Sequence, residues 1–303
     1  MKALEKIRNV SVILSSHEIE FAEKEAQLII KHSLAVDLVD IYRDNPEVKD
    51  KKGMEIDGMV ARRIRREPLQ YIVGHVDFLG IRISLGKDVL IPRPETEMMV
   101  EYAIKVISSQ MSVVSKKPHR RITENRLPNT DYRQLSILDL CTGSGCIALA
   151  LAREFSGAQV YGIDISENAV GYARKNALNN HIGNALFLCG NMFDAIKGER
   201  LFDVIISNPP YIPSSEINAL QPEIRQWEPR TALDGGADGL DSYREIIFAA
   251  GNFLKNNGIL ILELGIDLAR SVTGMADNAG FSRIEITKDL ADIERIFRAE
   301  WTK

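Results

Sequence analysis

The chain has 303 residues, 45% hydrophobic and 26% charged, with a formal net charge of −4, which fits a globular protein with a full core and argues against one built to coat nucleic acid. No run approaches the roughly 18–20 consecutive apolar residues of a membrane helix, so no membrane partner is expected. Three cysteines (Cys141, Cys146, Cys189) without a CxxC pair, and a charged start at Met1-Lys2-Ala3-Leu4-Glu5-Lys6, point away from disulfides, a metal site or a secretory signal and toward the cytoplasm.

Residues 1–70 are expected as a small helical domain. Ser15 and Glu18 have the spacing of a capping box, and Ile19, Ala22, Ala26 and Ile29/Ile30 follow at helical spacing. Ile56, Met59, Val60 and Ile64 share one face of a later helix, which Pro68 should stop. Short amphipathic helices must pack on one another as a bundle. The run Arg62-Arg63-Ile64-Arg65-Arg66 reads first as a solvated helix face. Its second reading is a contact for RNA phosphates or an acidic partner.

Residues 71–92 change texture. Tyr71-Ile72-Val73-Gly74, Val76–Gly80, Ile81–Leu85 and Val89–Pro92 are β-rich pieces with glycine breaks, read as one or two hairpins linking two domains. Pro94-Glu95-Thr96-Glu97 opens a helix that runs to Ile107. Residues 108–135 hold six basic and two acidic side chains among serines and prolines, the pattern of a basic flexible insertion. Residues 136–303 are acidic, with 22 acidic against 15 basic side chains, whereas residues 1–92 balance at 15 each. From Leu135 strands and helices alternate. Strands are expected at Ser136–Leu140, Val160–Ile165, Ala185–Cys189, Phe202–Ser207 and Gly258–Leu264, with helices at Ile147–Phe155, Ala169–Asn179 and Tyr243–Leu254. Phe281–Thr287 and Ile293–Ala299 would close the sheet as a hairpin. The alternation implies an α/β fold with a doubly wound sheet over residues 93–303.

Two motifs carry chemistry. Asp139-Leu140-Cys141-Thr142-Gly143-Ser144-Gly145-Cys146-Ile147-Ala148 lies between a strand and a helix, where glycines admit a ligand against the backbone and helix amides face it. With Asp164 ending the next strand as a ribose acceptor, this reads as a nucleoside site, and the spacing also fits a dinucleotide fingerprint. Asn208-Pro209-Pro210-Tyr211 follows the fourth strand, at the edge where α/β sheets bind ligands. Two prolines stiffen the chain and leave outward carbonyls. The Asn208 side-chain oxygen and the Pro209 carbonyl can each accept one N–H of a planar amino group, and Tyr211 can pack on it. The five histidines lie outside these motifs, and Cys141 and Cys146 lack a histidine partner nearby in sequence, so neither is expected as a nucleophile.

Asn208-Pro209-Pro210-Tyr211 together with Asp139-x-x-Thr142-Gly143-Ser144-Gly145 resembles methyltransferases that use S-adenosylmethionine to modify amino groups, some on adenine N6 and others on a glutamine amide. Pro68-Leu69-Gln70-Tyr71-Ile72-Val73-Gly74, Val89-Leu90-Ile91-Pro92-Arg93-Pro94-Glu95-Thr96-Glu97, Glu228-Pro229 with Ala232-Leu233-Asp234-Gly235-Gly236-x-Asp238-Gly239-Leu240, and Lys288-Asp289-Leu290 resemble the HemK/PrmC family. The resemblance runs from about residue 60 to the C-terminus. It implies a class I methyltransferase domain with a seven-stranded sheet at residues 93–303, a helical substrate-recognition domain at 1–70 and a β-hairpin linker at 71–92. It also implies a substrate: the Gly-Gly-Gln glutamine of peptide chain release factors, methylated on its side-chain nitrogen.

Carried onto this chain, the family's cofactor loop is Cys141, Thr142, Gly143, Ser144 and Gly145. Asp164 would hold the ribose, Asn191 and Met192 would flank the adenine, and Asn208 would reach both ligands. Pro209, Pro210 and Tyr211 complete the catalytic, substrate-binding set, with Asp139 and Glu95 as supporting acceptors. Met192 stands where the family often has an aromatic residue, the strand ending at Glu263-Leu264-Gly265 lacks the usual Gln, and Ala291-Asp292 replaces a glycine turn. An adenine-N6 methyltransferase shares the tetrapeptide but usually needs a target-recognition domain and a broad basic face. A nicotinamide dehydrogenase shares the glycine loop but has no use for the tetrapeptide. A non-catalytic binding module, or a ribosomal protein as the glutamine substrate, are further alternatives. Incidental RNA contact would be confined to the basic stretches.

Overall fold

The computed structural model describes residues 1–114, 135–196, 198 and 201–302, with only the backbone of 111–114. The chain divides into two compact units, Met1–His75 with Leu220–Trp227, and Val76–Ala219 with Glu228–Lys303.

The first unit holds helices α1 (Ala3–Ser16), α2 (Ala22–Leu34), α3 (Leu38–Asp44), α4 (Asp50–Arg63) and α5 (Leu69–Val73), plus a short helix at Pro222–Arg225 that is α9 in chain order. Ile7, Val10 and Leu14 of α1 bury against Ala26, Ile29 and Ile30 of α2 and Ile56, Met59 and Val60 of α4. The expected capping box does not form. Ser15 lies inside α1, and α2 begins after Phe21 with no side-chain cap. Tyr71–Val73, expected as strand, are helical, because burying Leu69, Tyr71 and Ile72 together takes one helical turn. Pro68 starts that turn and does not end α4, which stops at Arg63.

The arginine run is only in part the solvated face expected from its charge: Arg65 is exposed, whereas Arg63 is buried. Arg62 pairs with Glu67. Arg63, 7% exposed, lies between Glu25 at 2.6 Å and Glu223 at 3.0 Å. Arg66 donates to Glu223 at 3.2 Å and to the His17 carbonyl at 3.2 Å. A buried guanidinium is tolerable only when paired, and carboxylates distant in sequence do the pairing.

In the second unit, β1 (His75–Phe78) and β2 (Ile81–Ser84) form a single hairpin, and Val89–Pro92 form no strand. Helix α6 (Pro94–Val114) runs into the segment expected as insertion, so residues 108–114 are helical. Residues 115–134 of that segment lie outside the described residues. Then follow β3 (Ser136–Leu140), α7 (Cys146–Glu154), β4 (Gln159–Asp164), α8 (Glu167–Asn179), β5 (Ala185–Cys189), β6 (Phe202–Ser207), α10 (Asp241–Ala250), β7 (Leu254–Glu263), α11 (Ala269–Ala279), β8 (Phe281–Lys288) and β9 (Glu294–Trp301). Helix α10 ends earlier than expected, since Leu254 already begins β7. Helix α11 was not expected: its buried face is Ala269, Val272 and Ala276, too small to mark a period in sequence.

The seven strands lie in the order β5-β4-β3-β6-β7-β9-β8. The first five are parallel, and β9 pairs antiparallel with β7 and β8. Leu138, Leu140, Ile205, Leu260 and Leu262 pack one face against Tyr243, Ile246 and Val272 of the helices. The chain leaves β3 for β4 and β5, then returns to β6 on the opposite side of β3. That reversal opens a crevice at the carboxyl ends of β3 and β6.

Candidate active site

Both motifs sit at this reversal. After β3, Thr142 N donates to the Ile163 carbonyl at 2.9 Å, and Gly145 N donates to the Thr142 carbonyl at 2.8 Å. Asp139 is fully buried beneath the turn. Its Oδ2 accepts from Thr142 Oγ1 at 2.5 Å and from Ala148 N at 3.2 Å, while Oδ1 has no partner among the described residues. Burial pushes this carboxyl up to about 7. Gly145 has φ 82°, and a Cβ there would sit 2.9 Å from the Ala173 Cβ on α8. Asn176 of α8, also fully buried, donates to the Ser144 carbonyl at 3.0 Å and accepts from Ser84 N of β2 at 2.8 Å. One side chain thus ties hairpin, helix and glycine loop together.

Asp164 ends β4 with Oδ2 accepting from Gly143 N at 2.8 Å and Oδ1 from Ser166 N at 2.9 Å. Burial raises its pKa above the ordinary aspartate value. A cleft of roughly 480 Å³ opens here, within the usual range for small-molecule sites. Cys141, Gly143, Asp164, Asn191, Met192, Asn208 and Pro210 border it. Thr142 and Ser144 are buried, and with Gly145 they lie beneath the loop and not on the cleft wall; Pro209 and Tyr211 also stand back from it. Asp88, Asp164, Asp234, Asp241 and Glu245 line the cleft against one cation, Arg230, so it favours a positively charged ligand. Asn191 Nδ2 donates to Glu245 Oε1 at 2.8 Å, and Met192 Sδ lies 4.0 Å from Cys141 Sγ. Burial pushes the Cys141 thiol up strongly and that of Cys146 up to about 12, which disfavours the thiolate form of each.

After β6, Asn208 Nδ2 donates to Thr96 Oγ1 at 3.0 Å, and Thr96 Oγ1 donates to Glu263 Oε2 at 2.7 Å. Tyr211 OH lies 3.5 Å from Glu263 Oε1. Glu263, 2% exposed, ends β7, and burial pushes its carboxyl up to about 7. Burial likewise raises the Tyr211 phenol. Glu95, expected as the supporting acceptor, accepts no hydrogen bond among the described residues; its neighbour Thr96 faces the site because it lies on the buried side of α6. Thr96 and Glu263 were missed, although a lone carboxylate in the apolar run 259–264 was a visible signal.

The Glu228–Leu240 segment braces the same loop. Ile212 N donates to the Leu233 carbonyl at 2.9 Å, and Gly235 N donates to the Ile212 carbonyl at 2.9 Å. Gly239, at φ 75°, passes so close that a Cβ would sit 2.4 Å from the Tyr211 carbonyl oxygen. Glu228 is buried against Arg93 and accepts from Ile91 N at 3.4 Å.

Residues 5–74 match the PrmC N-terminal domain, and residues 132–289 match a methyltransferase domain. The release factor glutamine methyltransferase of Thermodesulfovibrio yellowstonii is 43% identical over 303 residues, covering 100% of this chain and 99% of that one. The chain belongs to the release factor glutamine methyltransferase family. A second member, from Geobacter sulfurreducens, is 39% identical over 285 residues, covering 93% of this chain and 91% of its own. Among solved structures, the hMettl16 catalytic domain in complex with MAT2A 3′UTR hairpin 6 superposes with a TM-score of 0.53 at 14% identity, over 84% of each chain. That likeness is one of fold. The loops after β3, β4, β5 and β6 all fall inside the matched methyltransferase domain, and membership of this family removes the dehydrogenase reading.

Proposed function

We propose that the cleft binds S-adenosylmethionine and that the chain transfers its methyl group, in the cytoplasm, to the side-chain nitrogen of the Gly-Gly-Gln glutamine of peptide chain release factors. The residues present fit the cofactor. Asp164 offers a carboxylate to the ribose hydroxyls, Asn191 and Met192 border the space for adenine, and Cys141 and Gly143 present backbone to the ligand. Thr142, Ser144 and Gly145 hold that backbone in shape. The acidic lining suits a sulfonium.

One observation carries the reading of the substrate: Asn208 borders the cleft while its amide nitrogen is tied to Thr96, which leaves its oxygen to accept a hydrogen bond. When bound, S-adenosylmethionine supplies a methyl group already activated by the sulfonium. An amide nitrogen is a poor nucleophile because its lone pair is delocalised into the carbonyl. Asn208 Oδ1 accepts one N–H of the substrate amide and aims the nitrogen lone pair, and the Pro209 carbonyl, set back from the cleft wall, takes the second where the substrate reaches past that wall. Pro210 and Tyr211 keep the two acceptors rigid. The bound cofactor would give up the methyl group and be left as a neutral thioether, and the alkylated nitrogen, which has become acidic, would pass its extra proton to water. Positioning of this kind can supply up to about 7–11 kcal/mol.

Transfer of a labelled methyl group to a purified release factor tests this. Wild-type chain should label it, and a release factor with the glutamine replaced should stay unlabelled. Labelling of duplex DNA or RNA in place of the release factor would overturn the reading.

A further inference from the structure

We propose that Glu263 is a positioning residue whose carboxylate, acting through Thr96, decides which way the Asn208 amide faces. This rests on the reading of Asn208 above and adds the device that sets its orientation.

A primary amide offers an acceptor on one side and two donors on the other, and a half-turn exchanges them at little steric cost. The two orientations are opposites for this site. One presents an oxygen to an incoming N–H, and the other presents an NH₂ that repels it. Among the described residues, the Asn208 side chain has one hydrogen bond, to Thr96 Oγ1.

Thr96 has a single hydroxyl hydrogen. An ionised Glu263 only accepts, so that hydrogen points to Oε2 at 2.7 Å. Thr96 Oγ1 then has only lone pairs left, and Asn208 must turn its NH₂ toward them. Its oxygen is left for the cleft. With Glu263 protonated, the chain can run backwards. The carboxyl O–H donates to Thr96, Thr96 donates to Asn208 Oδ1, and the NH₂ turns toward the cleft. The two states share their heavy-atom positions and differ by one proton and one flip.

The surroundings put that proton within reach. Thr96 and Glu95 face Glu263 from α6, Tyr211 from the loop after β6 and Arg295 from β9, while Tyr243 of α10 donates to the Glu263 main-chain oxygen at 2.7 Å. Burial raises the carboxyl most, Glu95 adds repulsion, and Arg295 opposes both, leaving it at about 7. Ile259–Leu262 and Leu264 around it are fully buried. A carboxylate in such a strand is a cost to folding that an apolar residue would avoid, and the hydrogen-bond direction it enforces gives it a use.

The test is the pH profile of kcat at saturating S-adenosylmethionine and release factor, with cofactor binding measured by calorimetry. Wild-type kcat should rise with pH through one ionisation near 7. Glu263→Gln, which keeps an acceptor oxygen but cannot ionise, should lose that limb, and Thr96→Val should also lose it and lie about tenfold or more below wild type at about pH 8, with the KM for S-adenosylmethionine unchanged. Thr96→Ser, which keeps the hydroxyl, should recover most of what Thr96→Val loses. An intact acid limb in Glu263→Gln, or wild-type kcat in Thr96→Val, would overturn the proposal. Asn208→Ala separates it from the reading it rests on. If that variant keeps full transfer, the role of Asn208 is wrong. If it loses transfer while Glu263→Gln and Thr96→Val match wild type, only the present proposal fails. Should these variants not fold, a wild-type kcat that stays flat from about pH 6 to about pH 8 overturns it alone.

Discussion

The loops after β3 and after β6 flank one crevice, and each rests on a buried carboxyl pushed up to about 7. They are built differently. Asp139 accepts through one oxygen from Thr142 and Ala148, three and nine residues away, and shapes a loop that presents mainly backbone. Glu263 takes its partners from Thr96 and Tyr211, 167 and 52 residues away, and serves a loop whose chemistry lies in one side chain. The loop after β3 thus has its buried carboxyl satisfied from its own turn, although Asp164 and Asn176 also support its backbone. The substrate end depends on three distant segments meeting.

The largest effect that would sharpen this contrast is Asn208→Ala. It should lower methyl transfer roughly 10²-fold, far more than it changes cofactor affinity in calorimetry. A parallel loss of cofactor affinity would mean the two loops are not separable. Next comes Gly145→Val. Its added carbons have no room against Ala173 and Phe187, and φ 82° strains any side chain. Chemical denaturation should show a loss of about 1–3 kcal/mol, together with weaker cofactor binding. Asp164→Asn should weaken cofactor binding about tenfold, with kcat at saturation little changed.

The smallest effect concerns stability and has a definite sign. The folded-state pKa of Glu263, about 7, lies above its ordinary value of 4.5. Its contribution to stability is thus fully present below about pH 4.5 and is lost as pH rises through about 7. Glu263→Gln should match wild type in thermal unfolding near about pH 5 and exceed it by on the order of 1–3 kcal/mol near about pH 8. A variant less stable than wild type at the higher pH would show that the charged carboxylate is no burden to the fold.

The same contrast explains what the sequence revealed. The glycine loop was legible because residues 139–148 carry both its glycines and its buried carboxyl, and the strands at 136–140, 185–189 and 202–207 because their apolar runs are short and bounded. The tetrapeptide at 208–211 was legible as chemistry, but its supports were not. Nothing local to Asn208 points to Thr96 or Glu263. Asn176, one of three asparagines in α8, gave no sign that it joins three elements. The arginine run at 62–66 misled for the same reason, since Glu25 and Glu223 reach it from far along the chain. Residues 71–73 misled because β-branched and aromatic residues fit a single buried helical turn as well as a strand.

The most direct test of the whole account is mass spectrometry of a release factor after incubation with the chain and S-adenosylmethionine. The account predicts a single added methyl group on the side-chain nitrogen of the Gly-Gly-Gln glutamine, absent when Asn208→Ala replaces wild type. A methyl group on any other residue, or an unmodified release factor, would contradict it.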